Sequence, residues 1–211
     1  MGRYIGPKEK IERRLGTKLF LKGERSYSPK SATTRRMYPP GMHGKKFRPR
    51  LSEYGSQLQS KQRIRQAYRM GEKQFKNWAK EAIRSKKETG TYLAEKLERR
   101  LDNAVFRSGF AQSRDQARQL VNHGHILVNG RKLTIPSAEV KIGDEIKIRE
   151  GSLKTQYFSA LAPQWMKKYK PPPWIELDSN ALVARIAGTP TVEDSGLEIR
   201  DLQSIVEFYS R

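Results

Sequence analysis

The sequence predicts an α+β protein that has a basic extended N-terminal arm, a small helical domain and an inserted unit of two helices on a small β-sheet. Charge and proline content predict the arm, because residues 1–50 carry 15 basic and 3 acidic side chains together with five prolines. Apolar residues recur at helical spacing from about residue 54 to residue 121, and they alternate with polar residues between 126 and 148. The order of these patterns predicts the order of the three parts.

The predicted arm, residues 1–50, combines cations with aromatic side chains. Tyr4, Tyr27 and Tyr38 lie among its lysines and arginines. This mixture favours stacking on unpaired bases together with contacts to phosphates. Packing into a core explains some of the tyrosines equally well, and runs of cations also occur on solvated surfaces and in localisation signals.

Residues 51–96 predict the helical domain. Ile64 and Tyr68 are four residues apart, and helical spacing resumes after Gly71. This pattern predicts a helix, a turn and a second helix, each with cations off its apolar stripe. Residues 171–211 are too few to bury a core of their own, so we expect them to complete this domain.

The inserted part, residues 97–165, begins with a helix. Leu97, Leu101 and Val105 recur every four residues and predict one continuous helix. Gly109 marks its end. A second, shorter helix follows.

A capping box opens this second helix. Ser113 and Gln116 have the spacing of the box, and Gly124 closes the helix. Arg114 and Arg118 are four residues apart on its outward face. We therefore expect Ser113 to stabilise the helix and the two arginines to face the solvent.

The strongest local signal is a β-hairpin. Short apolar-rich runs flank Asn129-Gly130, a pair that tolerates the positive φ angles of a type I′ turn. Ile146 and Ile148 alternate with charged residues and predict a further strand. The two helices are therefore expected to pack on a small sheet.

The charge of the chain is concentrated in its first half. The net charge is +21, and the first 100 residues hold 28 basic and 9 acidic side chains, whereas the other 111 hold 15 and 13. Such an excess predicts a polyanionic partner. Nucleic acid is favoured over a membrane or an acidic protein, because the arm has no amphipathic helix with a wide apolar face. No apolar run approaches about 20 residues and no signal-peptide pattern opens the chain, which predicts a cytoplasmic protein.

Catalytic and metal-binding patterns are absent from the sequence. It contains no cysteine and three histidines, His43, His123 and His125. Only two residues separate Gly41 from Gly44 before Lys45, where a phosphate-binding loop needs four. The sequence therefore predicts no enzyme, no cofactor and no metal site.

Seven separated motifs carry a resemblance to a known family. Three of them resemble the alpha-L RNA-binding module, which also occurs in some tRNA synthetases and pseudouridine synthases: LERRLDN at 97–103, SRDQARQLV at 113–121 and HILVNG at 125–130. The other four resemble bacterial small-subunit ribosomal protein four: RYIGP at 3–7, PGMHG at 40–44, EKQF at 72–75 and VEFYS at 206–210. The resemblance covers essentially the whole chain and leaves no room for a catalytic domain.

The resemblance implies a structural constituent of the small ribosomal subunit. Members of this family are primary binders of 16S rRNA that nucleate assembly of the subunit body, adjoin proteins five and twelve, and affect translational accuracy. Many relatives hold zinc with cysteines in the arm. This chain has none, so we expect RNA contact to order the arm instead.

Charge and resemblance together give the candidate site residues. The predicted rRNA-binding residues are Arg3, Tyr4, Lys8, Lys10, Arg13, Arg14, Arg35, Arg36, His43, Lys61, Arg63, Arg65, Arg69, Lys73, Lys76, Arg100, Arg107, Ser113, Arg114, Arg118, His123 and Lys132. The resemblance assigns a basic loop to the point where messenger RNA enters the ribosome: Lys45, Lys46, Arg48 and Arg50. An alternative is that this loop simply holds rRNA. A different class of function also stays open, a free RNA-modifying or stress-response protein that captures RNA with the alpha-L module.

Overall fold

The computed structural model describes residues 4–46, 50–166 and 168–210. The chain divides into two compact units. Unit one comprises Met1–Leu93 and Gly196–Arg211, and unit two comprises Ala94–Ser195. Helix α6 crosses the boundary between the units, and the sheet belongs to unit two.

Helices provide most of the regular structure. They are α1 (Lys8–Leu15), α2 (Glu24–Tyr27), α3 (Ala32–Arg35), α4 (Glu53–Ala67), α5 (Glu72–Arg84), α6 (Thr89–Glu98), α7 (Leu101–Arg107), α8 (Arg114–Asn122), α9 (Glu150–Leu153), α10 (Ala162–Met166), α11 (Val192–Ser195) and α12 (Ile199–Ser210). A π-helical turn, Tyr157–Leu161, precedes α10. The strands are β1 (Ile126–Val128), β2 (Arg131–Lys132), β3 (Glu145–Ile148), β4 (Ile175–Asp178) and β5 (Val183–Ile186). This mixture of helices and one antiparallel sheet confirms the predicted α+β class.

The arm folds around a small apolar core rather than running extended. Leu15, Leu19 and Leu21 are buried together, and Ile11 packs against them. The Glu12 side chain is buried, and its Oε1 accepts hydrogen bonds from the N–H groups of Leu19 and Leu21 at 3.1 and 3.2 Å. These contacts turn the chain back on α1, so the described part of the arm differs from the extended arm that the prolines predict.

Helices α4, α5 and α12 form the helical part of unit one. Ser52 caps α4 by accepting a hydrogen bond from the Gly55 N–H at 3.2 Å. Ile64 of α4, Phe75 of α5 and Ile205 of α12 are buried, and α12 packs against both other helices. The predicted helix, turn and second helix agree with α4 and α5.

The helix predicted through Leu97, Leu101 and Val105 is in fact two helices, α6 and α7. They separate at Arg100, whose backbone is extended with φ −66° and ψ 138°. The Leu101 N–H donates to the Ala138 carbonyl at 2.8 Å instead of continuing the helix. A backbone contact that is distant in sequence therefore breaks a helix whose apolar spacing is uninterrupted.

Five antiparallel strands form one sheet in the order β2-β1-β3-β5-β4. The predicted hairpin is present, since β1 and β2 flank Asn129 and Gly130, whose φ angles are 50° and 77°. Both angles are positive, as a type I′ turn requires. On β3, Ile146 pairs with Val128 on one side and with Ala184 on the other. The predicted further strand is thus the centre of the sheet.

Residues 171–195 differ from the domain assignment that the sequence predicts. They lie in unit two, where β4 and β5 pair Ile175 with Ile186 and Leu177 with Ala184. The exposed edge of β3 accounts for this placement, because β5 satisfies its backbone hydrogen bonds there. Only the segment from Gly196 onward, which contains α12, belongs with the helical part.

Aromatic side chains anchor the segment that follows β3 in unit two. Tyr157 Oη donates to the Phe110 carbonyl at 2.7 Å, and Trp165 Nε1 donates to the Gly109 carbonyl at 2.9 Å. Burial raises the pKa of Tyr157 well above its ordinary value of 10.

Within the described residues, no helix has the length and apolar character needed to cross a membrane.

Candidate nucleic-acid interface

Of the four cations of α1, Arg13 faces the protein and Lys10 and Arg14 face outward. Arg13 Nε donates to the Tyr38 carbonyl at 3.0 Å, and Nη2 donates to the Pro39 carbonyl at 3.3 Å. Lys10 and Arg14 are exposed, and no described residue pairs with either side chain. Lys10 and Arg14 are therefore available to a phosphate, whereas Arg13 holds the backbone at Tyr38 and Pro39 in place.

Of the other candidate cations in the arm, two are exposed. Arg35 and Arg36 are exposed at the end of α3, and Lys8 is half-buried. Arg3 and Arg48 lie outside the described residues.

The described residues of the basic loop, Lys45, Lys46 and Arg50, are exposed. His43, just before the loop, is exposed as well. Lys45 Nζ lies 5.5 Å from the centre of the Tyr38 ring, an aromatic contact that a charge count does not reveal. The positions suit contact with a nucleic acid backbone.

On α4, three of the predicted phosphate-binding cations are committed to carboxylates. Lys61 is buried, and its Nζ lies 2.7 Å from Glu72 Oε1. Arg65 Nε lies 3.4 Å from Glu72 Oε2, and Arg63 Nη1 lies 2.8 Å from Asp201 Oδ2. These ion pairs join α4 to α5 and α12. Burial makes Lys61 a poor candidate for RNA contact, which corrects the sequence prediction.

Glu72 is the centre of this ion-pair cluster. Burial opposes its ionisation, but the hydrogen bonds from Lys61 and Tyr209 and the positive charges of Lys61 and Arg65 outweigh burial and lower the Glu72 pKa below 4.5. The Tyr209 pKa is raised well above 10, first by burial and then by the adjacent Glu72 charge. The cluster is a structural element that holds α12 on the other two helices.

Arg69 also serves the fold. It is buried with a positive φ of 54°, and its Nη2 donates to the Tyr4 carbonyl at 2.8 Å. Its guanidinium carbon lies 5.7 Å from the centre of the Tyr4 ring. Arg69 therefore positions Tyr4, and burial corrects its assignment as a phosphate-binding residue.

Helix α5 carries a row of exposed cations. Lys73 and Lys76 were expected in the site, and Lys80 and Arg84 continue the same row at i+7 and i+11 from Lys73. All four are exposed, and none pairs with a described residue. The sequence reasoning missed the last two, although their helical spacing could have found them.

In unit two, Arg100 is buried against Asp102. Nε and Nη2 donate to the two carboxylate oxygens of Asp102 at 2.9 and 2.7 Å, and the Arg100 side chain is 1% exposed. Arg118 Nη1 lies 3.6 Å from Asp102 Oδ2, with its side chain 12% exposed. Arg100 has no surface to offer a phosphate, which corrects its place in the predicted site.

A second buried carboxylate, Glu98, holds two more arginines. Arg107 donates through Nε and Nη2 to the Glu98 carboxylate at 2.9 and 3.0 Å. Arg114 Nε donates to Asn103 Oδ1 at 2.7 Å, and its Nη2 lies 3.9 Å from Glu98 Oε1. Arg114 is half-buried, so the outward row predicted for Arg114 and Arg118 is instead part of an internal network.

Ser113 is a helix cap, as its sequence position predicts. Its Oγ accepts a hydrogen bond from the Gln116 N–H at 3.3 Å. The Gln116 side chain accepts from the Gln112 N–H at 2.9 Å, one residue before the position of a capping box. Ser113 is buried, so its contribution is to the helix.

A small basic patch surrounds the end of α8 and the hairpin. His123 and Lys132 are exposed as expected, and the sequence reasoning missed Arg149, which is exposed nearby. Burial lowers the pKa of His125 below 6.5, and the charges of His123, Arg149 and Lys132 lower it further. Such a concentration of positive charge favours an anion.

Among the described residues, no group of three or more His, Asp or Glu side chains could hold a metal ion. The candidate site consists of exposed cations and aromatic rings, groups that are suited to contact phosphates and bases.

Comparison with known proteins identifies the family. A family model for the ribosomal protein S4/S9 N-terminal domain matches residues 3–98, and a model for the S4 domain matches residues 99–146. The small ribosomal subunit protein uS4 of Thermus thermophilus is 48% identical over 211 residues, which is 100% of both chains. The uS4 proteins of Syntrophomonas wolfei and Kosmotoga olearia are 46% and 47% identical over the same 211 residues, again 100% of both chains.

These matches confirm the resemblance that the separated motifs indicate. The matches to the relatives span all 211 residues and so include the arm, the helical part and the sheet. The chain belongs to the uS4 family of small ribosomal subunit proteins.

Proposed function

We propose that the protein is a structural constituent of the small ribosomal subunit and binds 16S rRNA through exposed cations. The observation that carries this proposal is a set of exposed side chains in unit one that pair with no described residue: Lys10, Arg14, Lys18, Lys30, Arg35, Arg36, Lys46, Arg50, Lys73, Lys76, Lys80, Arg84 and Lys86. Each can neutralise a phosphate without first leaving a protein partner.

Salt dependence tests the binding directly. Filter binding of the full chain to small-subunit rRNA should weaken steeply as salt rises, because each phosphate contact releases a counterion. A flat dependence would contradict the proposal. Sedimentation of a lysate at low magnesium gives the cellular counterpart, in which the protein should travel with small subunits rather than stay at the top of the gradient.

Primary binding to 16S rRNA, nucleation of the subunit body and an effect on translational accuracy with proteins five and twelve extend this proposal. The relatives named small ribosomal subunit protein uS4 support the place in the small subunit, and the family resemblance suggests these finer roles. Reconstitution should show the order of binding. The protein should bind naked 16S rRNA before proteins five and twelve, and a requirement for either protein would contradict primary binding.

The basic loop supports a contact with messenger RNA where it enters the ribosome. Lys45, Lys46 and Arg50 are exposed, and Arg48 lies in the same stretch of sequence. Changing all four to glutamine should slow unwinding of structured messenger RNA more than it weakens rRNA binding. A matched change of Lys73 and Lys76 should have the opposite preference. Equal losses in both assays would mean that the loop only holds rRNA.

A further inference from the structure

A cleft between α1 and α4 is built within unit one. Its volume is about 470 Å³, within the range of pockets for small organic ligands. Ile11 and Leu15 give it an apolar surface, and Tyr4, a residue that is 44% exposed, borders it. The cleft thus offers an apolar surface and an aromatic face to a flat ring.

Cations line the same cleft. Lys10 and Arg14 lie on successive turns of α1, and Arg65 faces them from α4. Lys10 and Arg14 are exposed and pair with no described residue, in contrast to Arg13 on the same helix. A ligand that carries a negative charge can therefore reach two unpaired cations beside the aromatic ring.

Two glutamines of α4 complete the lining, and each brings an NH2 group with two hydrogens to donate. Arg65 Nη2 donates to Gln62 Oε1 at 2.7 Å, and Arg69 Nη1 donates to Gln66 Oε1 at 3.3 Å. Arginine cannot accept a hydrogen bond, so these contacts fix the amide oxygens toward the guanidinium groups. No described residue accepts from either NH2 group, which leaves both amides to donate to a ligand.

The position of the Tyr4 ring depends on two neighbours. Arg69 donates to its backbone carbonyl, and Gly6 leaves room for the ring, since a Cβ at Gly6 would lie 2.5 Å from Tyr4 Oη. The ring is therefore held at the border of the cleft.

We infer that this cleft binds one guanine nucleotide turned out of the RNA, with its phosphate on Lys10 and Arg14 and its ring on Tyr4. Guanine presents two adjacent acceptors, O6 and N7, on one edge, which matches the donor NH2 groups of Gln62 and Gln66. Adenine, cytosine and uracil each offer at most one acceptor on that edge, so guanine alone can accept from both NH2 groups there. This inference rests on the proposed function, since RNA supplies the nucleotide.

Chemical footprinting of 16S rRNA with dimethyl sulfate, which methylates guanine N7, tests the inference. The wild-type protein should protect one unpaired guanine that Tyr4→Leu, Gly6→Ala and Gln62→Glu each leave reactive, while the rest of the footprint persists. Gln62→Glu keeps an acceptor for Arg65 but replaces the donor with a carboxylate. Tyr27→Leu, a change at an exposed arm tyrosine outside the cleft, should leave that guanine protected.

The affinity changes should match the loss of one stacked base. Tyr4→Leu should weaken binding about 5- to 150-fold with an unchanged salt slope. Lys10→Ala with Arg14→Ala should reduce the slope instead, by roughly 0.7 to 0.9 for each lost phosphate contact. Melting temperatures equal to wild type would show that the variants fold.

The outcomes separate this inference from the proposed function. A complete footprint in which no guanine responds to the cleft variants would overturn the nucleotide site and leave rRNA binding intact. No footprint with the wild-type protein would overturn the proposed function and the site with it. Titration with free guanosine 5′-monophosphate distinguishes the source, because saturation at micromolar concentration without any guanine protection in RNA would assign the cleft to a free nucleotide.

Discussion

The cations of α5 and those around α7 and α8 are in opposite situations. On α5, Lys73 and Lys76 are exposed and pair with no described residue. In unit two, Arg100 and Arg107 are tied to the carboxylates of Asp102 and Glu98. The difference teaches that a positive side chain indicates a binding surface only where the fold places no acidic side chain beside it.

The largest expected effect is on the stability of unit two. Asp102→Ala leaves the guanidinium of Arg100 buried without its carboxylate, and such a loss costs about 3 to 5 kcal/mol. Urea unfolding measures the change in the free energy of unfolding, and hydrogen exchange of the amides of β1 and β3 tests whether the change lies in unit two. Glu139→Ala is the control, because the Lys96–Glu139 pair is partly exposed at 3.7 Å and contributes at most about 1 kcal/mol. Equal losses of stability in the two variants would contradict the expected difference between the buried and the partly exposed ion pair.

A second effect concerns the arm of unit one. Glu12→Ala leaves the N–H groups of Leu19 and Leu21 without an acceptor in a buried position, at a cost of about 2 to 4 kcal/mol. Free protein should then be cleaved faster at Lys18 and Lys22. The arm composition predicts protection of the arm cations only when RNA is bound. Digestion of wild type at the same rate with and without RNA would contradict that expectation. If RNA slows digestion only in the Glu12→Ala variant, the Glu12 hydrogen bonds rather than RNA keep the wild-type arm ordered.

A pair of double variants compares the two kinds of cation directly. Sequence spacing predicts that Arg114→Ala with Arg118→Ala leaves the melting temperature unchanged, but the contacts with Asn103 and Asp102 reverse this expectation. We expect a loss of roughly 1.5 to 3 kcal/mol of stability. Lys73→Ala with Lys76→Ala should leave stability within about 0.5 kcal/mol and lower the salt slope of rRNA binding by about 1.4 to 1.8. Thermal melts and filter binding on both variants measure these effects. A stability loss in the Lys73/Lys76 variant and a lower salt slope alone in the Arg114/Arg118 variant would reverse the comparison.

Ser113→Ala should have a smaller effect. Loss of the hydroxyl removes the acceptor of the Gln116 N–H, which costs about 1 kcal/mol for a helix cap. Binding should fall only to the extent that folding falls. A Ser113→Asp variant, which retains an acceptor, should recover the stability, and weaker binding by a stable Ser113→Ala variant would indicate a direct RNA contact.

The smallest effect is a pH dependence at His125. Because its folded pKa is lowered, the unfolded chain binds more protons between the two values, so the contribution of His125 to stability is present above pH 6.5 and lost as pH falls through the folded pKa. An NMR titration of the ring should show a midpoint below 6.5 in the free protein. Bound phosphates favour the charged ring, so RNA on this patch should raise the midpoint. An unchanged midpoint would exclude RNA from the surroundings of His125.

Local signals predicted the local parts of the fold. The hairpin at Asn129-Gly130 and the cap at Ser113 each depend on a few adjacent residues, and both are present. The break at Arg100 depends on the Leu101 contact with the Ala138 carbonyl, which is far away in sequence. Apolar spacing is continuous across that position, so periodicity could not show the break.

The candidate site was predictable only in part, for the same reason. Residue type and helical spacing found exposed cations such as Lys10 and Lys76. They could not show that Asp201 of α12 lies beside Arg63, or that Glu72 lies beside Lys61, because these partners come from other helices. Which cation is free is a property of the packed structure.

The interrupted sequence of unit one has a consequence for its synthesis. Unit two comprises Ala94–Ser195 without interruption, whereas α4 and α5 wait for α12, which follows unit two in the chain. During translation, unit two can therefore complete its fold first, while α4 and α5, which carry the buried residues Ile64 and Phe75, still lack α12. A nascent chain that stops before Ile199 would carry a finished sheet on an unfinished helical part, a substrate that proteases recognise.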